Sequence, residues 1–331
     1  MKIFETAKGK IYKEDVLNVY QDWSSPICIV SDGPYGIDGY SGDDIHHKTL
    51  AETYLPHIQA WSKAATSQTT LWFWCTEIGW ANVHPILEAN GWIYRGCNIW
   101  DKGIKHIAGN CNGKTMRKFP VVTEVCVHYV RKEEFLLKTG EKLSLQEWMR
   151  SEWQRTGLPF SKSNEACGVK NAASRKYFAK DHLWYFPPKE EFLKLVAYAN
   201  EYGFLNGKPY FSINGKDALN SNQWDRLRAK FNFEYGVTNV WECPPLRSNE
   251  RLKNGSEHIH PNQKPLELMN RIILASTEDG DIVWEPFAGM ASASIAAHQL
   301  NRRYFACEVK DDYFNNIISR LSIFKKETYG R

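Results

Sequence analysis

The chain has 331 residues, enough for one large domain or for a catalytic domain with an insert. Its 43% hydrophobic and 24% charged residues are typical of a globular protein, and no apolar run is long enough to cross a membrane. The net charge of +4 permits a nucleic-acid partner without requiring one, because such binding depends on a local basic patch.

The eight cysteines are scattered along the chain, and no two of them form a Cys-x-x-Cys pair. A zinc site or a dithiol redox site is therefore disfavoured, and we expect no metal. Free thiols in this pattern are typical of a reducing compartment. Because the first residues also lack a basic-then-apolar leader, the sequence predicts a cytoplasmic protein that does not bind a membrane.

A short apolar strand near the start of the chain ends in polar and aromatic residues. Residues 27–30 (ICIV) have the pattern of a buried strand, and residues 31–36 (SDGPYG), here called the aspartate corner, follow it. In open α/β sheets, ligands bind at the carboxyl ends of the strands. There the Asp32 carboxylate can accept hydrogen bonds from an amino group, and the Tyr35 ring can stack on a planar ring. This corner therefore suits chemistry on the amino group of a nucleobase.

The residues after the aspartate corner alternate between helical and strand patterns. Periodicity predicts, in order, helix 50–65, strand 69–76, helix 83–90, strand 92–100 and strand 121–131. This alternation is typical of an α/β fold with a doubly wound sheet of parallel strands covered by helices. The last two strands have no helix between them, so we expect an antiparallel hairpin at one edge of the sheet.

The loop between those two strands, 101–118, is rich in glycine and in basic residues. If the partner is DNA, Lys114 and Arg117 are candidates for contacts with its phosphates. The alternative is a solvated connection that only joins the two strands.

Residues 133–257 differ in composition from the segments on either side and are predicted to form one inserted, mainly helical domain. Its segment 145–180 is rich in charge and resembles a helix-turn-helix. In this interpretation Ala166 allows close contact between the helices, Gly168 makes the turn and Val169 packs between them. The alternative is a helical hairpin that only packs.

The second helix of that segment is the one that a DNA major groove would receive. Asn171 is expected to cap this helix. The candidates for DNA contact are Lys170, Asn171, Arg175 and Lys176.

A second strand-and-turn unit lies near the other end of the chain. An apolar strand at 282–284 runs into residues 285–292 (EPFAGMAS), here called the glycine corner, and then into an alanine-rich helix. A strand, a glycine turn and a helix N-terminus together form an arrangement that receives nucleotide-like ligands. The next strand ends in Glu308, 19 residues after Gly289, where an acidic residue is placed to bind ribose hydroxyls.

Three motifs together resemble those of the S-adenosylmethionine-dependent DNA amino-methyltransferases, which modify adenine N6 or cytosine N4. Residues 32–35 (DGPY) resemble the family's Asp-Pro-Pro-Tyr motif, with Gly33 in place of the first proline. Residues 260–265 (HPNQKP) resemble its His-Pro-x-Gln-Lys-Pro signature. The glycine corner resembles Asp-Pro-Phe-x-Gly-Ser-Gly, with Glu285 for the aspartate and Met290-Ala291 for Ser-Gly. The motif order, catalytic first and cofactor last, is similar to the circularly permuted β class.

This resemblance implies a Rossmann-like methyltransferase fold, S-adenosyl-L-methionine as cofactor, and base flipping from double-stranded DNA at a short specific site. It implies a catalytic domain over 1–132 and 258–331 and a target-recognition domain over 133–257. The implied catalytic residues are Asp32, Gly33, Pro34 and Tyr35. The implied cofactor-binding residues are Asp15, His260, Gln263, Lys264, Glu285, Pro286, Phe287, Gly289, Ser292 and Glu308.

The resemblance favours adenine N6 as the target, because cytosine N4 enzymes usually carry Ser at the position of Asp32. Cytosine N4 stays open, since Ser31 immediately precedes Asp32 and Gly33 is atypical. Cytosine C5 chemistry is disfavoured because the chain contains no Pro-Cys dipeptide.

Two other classes also stay open, an RNA or protein-glutamine methyltransferase and an inactive DNA-binding regulator that has kept the fold. The partners that the family implies can include a second copy of the chain, in a homodimer, and a cognate restriction endonuclease.

Overall fold

The computed structural model describes residues 1–37, 45–106, 114–136, 140–204, 207–246, 253–254, 257–258 and 263–325. The strands are β1 Lys2–Glu5, β2 Gly9–Lys13, β3 Cys28–Ser31, β4 Thr70–Cys75, β5 Trp92–Asp101, β6 Thr123–Arg131, β7 Phe135–Leu136, β8 Lys142–Leu143, β9 Val240–Glu242, β10 Lys253–Asn254, β11 Glu257–His258, β12 Ile282–Glu285 and β13 Arg303–Glu308. The α-helices are α1 Leu50–Ala64, α2 Glu77–Ala89, α3 Leu145–Arg155, α4 Lys162–Ala166, α5 Ala172–Tyr177, α6 Lys189–Tyr202, α7 Ser221–Asp225, α8 Leu266–Ser276, α9 Ser292–Gln299 and α10 Asp311–Lys325.

The chain divides into two compact units, one formed by Met1–Arg131 with Ala229–Arg331 and the other by Lys132–Arg228. The second unit therefore ends at Arg228, whereas the predicted insert extends to residue 257. The difference has a structural cause, since β9 (Val240–Glu242) pairs with β5 in the sheet of the first unit. Backbone pairing over such a long separation leaves no local sequence pattern.

The first unit contains a sheet whose nine described strands follow the order β1-β2-β13-β12-β3-β4-β6-β5-β9. The central strands β2, β13, β12, β3 and β4 are parallel to one another. β6 runs antiparallel to both of its neighbours, β4 and β5. The predicted doubly wound α/β sheet and its antiparallel strand pair are thereby confirmed. The hairpin is not at the edge of the sheet, however, because β9 pairs with β5 and is itself the edge strand.

The parallel strands are buried because helices cover them. Residues 70–75 of β4 (TLWFWC) are all buried, as are the four residues of β12. Helices α1, α2, α8, α9 and α10 contribute side chains to the same hydrophobic core. α2 starts at Glu77, six residues before its predicted start, because the Thr76 side chain accepts a hydrogen bond from the Gly79 N–H and caps the helix. None of the described helices combines the length and the apolar character that a membrane crossing would need.

The second unit is mainly helical and has its own core, in which the Phe192 and Trp224 rings stack with their centroids 3.7 Å apart. Its helices α4 and α5 flank a turn at Gly168, whose φ of 67° is in the left-handed region that favours glycine. Val169 is exposed, so the prediction that it packs between the helices is wrong. Asn171 occupies the N-cap position of α5 but makes no side-chain capping hydrogen bond; the Asn164 side chain accepts one from the Ser174 N–H instead, at 3.0 Å.

Candidate active site

The two corners lie side by side because β3 and β12 are neighbouring parallel strands. Cys28 pairs with Val283 and Ile29 with Trp284, so both strands end at the same edge of the sheet. The corners open onto one cavity of about 730 Å³, within the range of small-molecule sites. Residues lining this cavity include Asp15, Asp32, Gly33, Pro34, Tyr35, Lys102, Glu124, Gln263, Pro286, Phe287, Gly289 and Glu308.

Asp32 is held by two hydrogen-bond donors at the edge of this cavity. The Tyr35 hydroxyl lies 2.7 Å from Asp32 Oδ1, and the Lys264 Nζ lies 2.8 Å from the same oxygen. The Asp32 side chain is 22% exposed, whereas that of Lys264 is 1% exposed. Lys264 was predicted to bind the cofactor, but the structure places its ammonium group on the aspartate corner.

Glu124 contacts Tyr35 and Lys264 as well, although the sequence did not identify it as a site residue. Its Oε2 lies 3.0 Å from the Tyr35 hydroxyl and 3.3 Å from the Lys264 Nζ, and its Oε1 accepts a hydrogen bond from Lys102. Glu124 is on β6, where one acidic residue within an alternating apolar pattern is usually assigned to the solvent face. The signal that could have identified Glu124 is its pairing with Lys102 and Lys264, and this pairing is visible only once the chain has folded.

The charges of this cluster stabilise one another. Burial opposes the ammonium form of Lys264, but the Asp32 and Glu124 carboxylates outweigh it, and the pKa of Lys264 is raised. Burial alone would raise the pKa of Glu124, but Lys264 and Lys102 outweigh it, so that pKa is lowered. Burial, reinforced by the two carboxylates, raises the pKa of Tyr35 well above its ordinary value, so the hydroxyl stays protonated.

Gly33 is the residue at which the aspartate corner departs from the family motif, and the packing explains why. A Cβ at this position would lie 2.5 Å from the Tyr54 hydroxyl oxygen and 2.6 Å from Cδ2 of Phe287. Tyr54 is fully buried and donates a hydrogen bond to the Pro34 carbonyl, at 3.1 Å. The Tyr54 and Phe287 rings therefore occupy the space that a larger residue at position 33 would need.

In the glycine corner, Glu285 binds the start of helix α9. Its carboxylate accepts hydrogen bonds from the backbone N–H groups of Ala293 and Ser294, at 2.9 and 2.8 Å, and from the Ser294 hydroxyl, at 2.5 Å. Burial raises the pKa of Glu285 to about 7, although these donors oppose the shift. The described contacts of this carboxylate thus hold the corner to the helix. Ala291, where the family usually has glycine, adopts a left-handed φ of 55°, a conformation that costs a non-glycine residue roughly 1 kcal/mol.

Glu308 and Ser292 connect the glycine corner to its surroundings. Glu308 accepts hydrogen bonds from the Gly289 and Lys310 N–H groups, both at 2.8 Å, which ties the end of β13 to the corner. The Ser292 hydroxyl donates to the backbone carbonyl of Lys264, at 3.1 Å. Ser292 of the glycine corner thus holds the backbone of Lys264, whose ammonium group binds Asp32.

The other predicted site residues are distributed as follows. Asp15 caps a short turn by accepting a hydrogen bond from the Leu17 N–H, at 2.9 Å, and lines the cavity. His260 lies outside the described residues. Lys114 and Arg117 are exposed in the first unit, whereas the exposed residues Lys170, Asn171, Arg175 and Lys176 belong to the second. Among the described residues, no three His, Cys, Asp or Glu side chains are grouped so that they could hold a metal ion.

A comparison with protein families identifies the chain. The family model for the DNA methylases of the N6/N4 type matches residues 27–319, a range that includes both corners and the second unit. The chain belongs to the DNA methylase family. This confirms the S-adenosylmethionine-dependent N6/N4 family that the motifs predicted.

Two curated relatives of this DNA methylase match it over a short part of their length. DNA adenine methyltransferase YhdJ of Escherichia coli (strain K12) is 37% identical over 93 residues, 28% of this chain and 30% of that protein. Type II methyltransferase M.BglII of Bacillus subtilis is 36% identical over 83 residues, 25% of this chain and 22% of that protein. The chain therefore matches less than a third of the length of either relative.

Among solved structures, the M1.HpyAVI–SAM complex is similar over almost its whole length. The similarity covers 95% of this chain and 98% of that chain, with a TM-score of 0.51 and 17% sequence identity. At this identity, the similarity shows that the two chains share a fold.

The close contacts of Gly33 predict the effect of Gly33→Ala. We expect it to lower the free energy of unfolding by about 1–3 kcal/mol, because the Tyr54 and Phe287 rings must move. Gly96→Ala is the control, since a Cβ at Gly96 meets no atom within 4 Å; it should change stability by less than about 0.5 kcal/mol. Denaturant titration of the three proteins would measure this, and equal stability of Gly33→Ala and wild type would contradict the packing account.

Proposed function

We propose that the protein is an enzyme that methylates the exocyclic amino nitrogen of a base in double-stranded DNA, using S-adenosyl-L-methionine, with adenine N6 as its favoured target. The observation that carries this proposal is the single cavity shared by the aspartate and glycine corners. A methyl donor held at one corner and a base held at the other would be in reach of each other. Membership of the DNA methylase family supports the same reaction.

The chemistry of the glycine-corner side of the cavity fits the proposed cofactor. Glu308 offers carboxylate oxygens to ribose hydroxyls, Asp15 offers a second carboxylate, and Phe287 provides an apolar ring. Gln263, Pro286 and Gly289 line the same space, and we propose that they contribute to binding. When bound, S-adenosyl-L-methionine would supply the methyl group of its sulfonium. The amino nitrogen would form a bond to this methyl carbon as the sulfur–carbon bond breaks, and the nitrogen would then release one of its protons to solvent.

The aspartate-corner side of the cavity would hold the base. We propose that the Asp32 carboxylate and the Gly33 carbonyl accept hydrogen bonds from the two amino hydrogens, which directs the nitrogen lone pair toward the methyl group. Flipping the base out of the duplex costs a few kcal/mol. We propose that stacking on Tyr35 offsets part of this cost, and that Pro34 stiffens the corner. Tyr35 is only 6% exposed, so the cavity gives a base access to a small part of its ring.

Two observations favour adenine over cytosine as the target. The residue at the start of the motif is Asp32, whereas cytosine N4 enzymes usually carry Ser there. One relative is named a DNA adenine methyltransferase, and it is 37% identical over the matched segment.

Recognition of a short DNA site is proposed for the unit Lys132–Arg228, where Arg175 and Lys176 are exposed on the second helix of the turn motif. Lys114 and Arg117, exposed in the first unit, are proposed phosphate contacts. A homodimer and a paired restriction endonuclease stay predictions.

The proposed reaction predicts the effect of Asp32→Asn. We expect methyl transfer to DNA to fall by about 100-fold or more, because one strong acceptor of the amino hydrogens is replaced by a weaker one. Affinity for S-adenosyl-L-methionine should change little, and Asp22→Asn, at an exposed aspartate, should retain wild-type activity.

Mass spectrometry of nucleosides from DNA treated with labelled cofactor measures both the rate and the product. Wild-type protein is expected to give N6-methyladenine. N4-methylcytosine as the sole product would overturn the choice of adenine, and no methylated base in any DNA would overturn the function itself.

The proposed role of the second unit predicts the effect of Arg175→Ala. Once sequencing of modified DNA has identified the site, the variant should bind it about 5- to 150-fold more weakly, as expected for loss of one DNA-contacting arginine. Lys216→Ala removes one exposed positive charge from the same unit outside the turn motif and is the matched control. Equal DNA affinities and site preferences for Arg175→Ala and wild type would reject the helix-turn-helix assignment.

A further inference from the structure

The buried ion cluster around Tyr35 contains more charge than the proposed methyl transfer uses. It consists of Asp32, Glu124, Lys264 and Lys102, joined by hydrogen bonds and ion pairs, with the Tyr35 hydroxyl at its centre. We call these five residues the charge cluster. Only Asp32 and Tyr35 belong to the aspartate corner, so the other three residues need a separate explanation.

The hydrogen bonds of the charge cluster distinguish the two oxygens of Asp32. Oδ1 accepts from both the Tyr35 hydroxyl and the Lys264 ammonium group. Within the described part of the chain, no donor is bonded to Oδ2, and the Asp32 side chain lines the cavity. Lys264 therefore anchors one oxygen and leaves the other available to an amino group.

Lys264 is itself fixed from three directions. Its Nζ lies 2.8 Å from the Tyr35 hydroxyl and 3.3 Å from Glu124 Oε2, in addition to its contact with Asp32. Its backbone carbonyl accepts a hydrogen bond from Ser292 of the glycine corner. An ammonium group so constrained, on a side chain that is only 1% exposed, does not sample other positions freely.

The charges of the cluster balance, since two carboxylates face two ammonium groups. Among the described residues, other titratable groups that interact electrostatically with the charge cluster include the Cys75 and Cys126 thiols and the Glu285 carboxylate. Burial raises the pKa of the Cys126 thiol well above its ordinary value, so it adds no charge. Without Lys264, the Asp32 and Glu124 carboxylates would share the Tyr35 hydroxyl, and like charges so close favour uptake of a proton.

We infer that Lys264 is a positioning residue for methyl transfer, which fixes Asp32 through Oδ1, and that Glu124 is the counter-charge that holds Lys264 in place. This inference rests on the proposed function and assigns Lys264 a role different from the cofactor contact that its motif implies. Glu124 acts through Lys264 and Tyr35.

The test compares Lys264→Met with the double variant Lys264→Met/Glu124→Gln, measuring kcat against pH and cofactor affinity by calorimetry. In Lys264→Met, kcat at pH 7 should fall about 100-fold. The acid limb of its pH profile should move up by about one pH unit or more, because the two carboxylates now compete to remain ionised. Its affinity for S-adenosyl-L-methionine should stay within about twofold of wild type.

The double variant restores the charge balance, because one carboxylate, Asp32, and one ammonium group, Lys102, remain in the charge cluster. The acid limb of its kcat–pH profile should return toward that of wild type. A purely structural role of Lys264 would not produce this recovery. It also provides a folded comparison if the single variant, with an excess buried carboxylate, does not fold.

Four outcomes would distinguish the proposed function from the roles inferred for Lys264 and Glu124. A tenfold or greater loss of cofactor affinity in Lys264→Met with an unchanged pH profile would make Lys264 a cofactor residue and overturn the positioning role. A double variant that shows no recovery of the acid limb would overturn the counter-charge role of Glu124. Wild-type protein that methylates no DNA would overturn the proposed function, whereas active wild type matched by Lys264→Met would overturn only the inference about Lys264.

Discussion

The parallel pairing of β3 with β12 is the constraint on which the site depends. These strands are more than 250 residues apart in the chain, and only their pairing places the aspartate and glycine corners at one edge of the sheet. Because parallel strands need long connections, the segment between the corners can hold a separate compact unit, Lys132–Arg228, without disturbing the pair. The proposed chemistry and the proposed site recognition are thereby assigned to different units of the chain.

Burial of charge carries an energetic cost at the site. An isolated ammonium group at the position of Lys264 would lose several kcal/mol of solvation. Two carboxylates and a hydroxyl around it offset that loss, and the two carboxylates explain why its pKa is raised despite burial. The same contacts make the site rigid, since each member of the charge cluster is held by at least one other. Rigid placement of polar groups is what electrostatic catalysis requires.

The sequence predicted the elements that depend on local pattern. The helix at Leu50–Ala64, the buried strand at Thr70–Cys75 and the hairpin of β5 with β6 lie where periodicity placed them, within a residue or two. These elements follow from the burial of alternating or helically spaced side chains, which is written in neighbouring residues.

Features that depend on distant contacts were missed or misplaced. Glu124 was overlooked because its partners, Lys102 and Lys264, come from other strands or loops. The second unit ends at Arg228, whereas the sequence placed its end at residue 257, because the pairing of β9 with β5 leaves no local sequence pattern. The reason for Gly33 became visible only when the Tyr54 and Phe287 rings were seen to fill the adjacent space.

A crystal structure of the protein with S-adenosylhomocysteine, the demethylated product of the cofactor, is the most direct test of the shared cavity. We expect the ligand to lie in this cavity, with its ribose hydroxyls within hydrogen-bonding distance of Glu308 and its sulfur facing Asp32. Ligand bound elsewhere, or with its sulfur turned away from the aspartate corner, would contradict the claim that donor and base meet in this cavity.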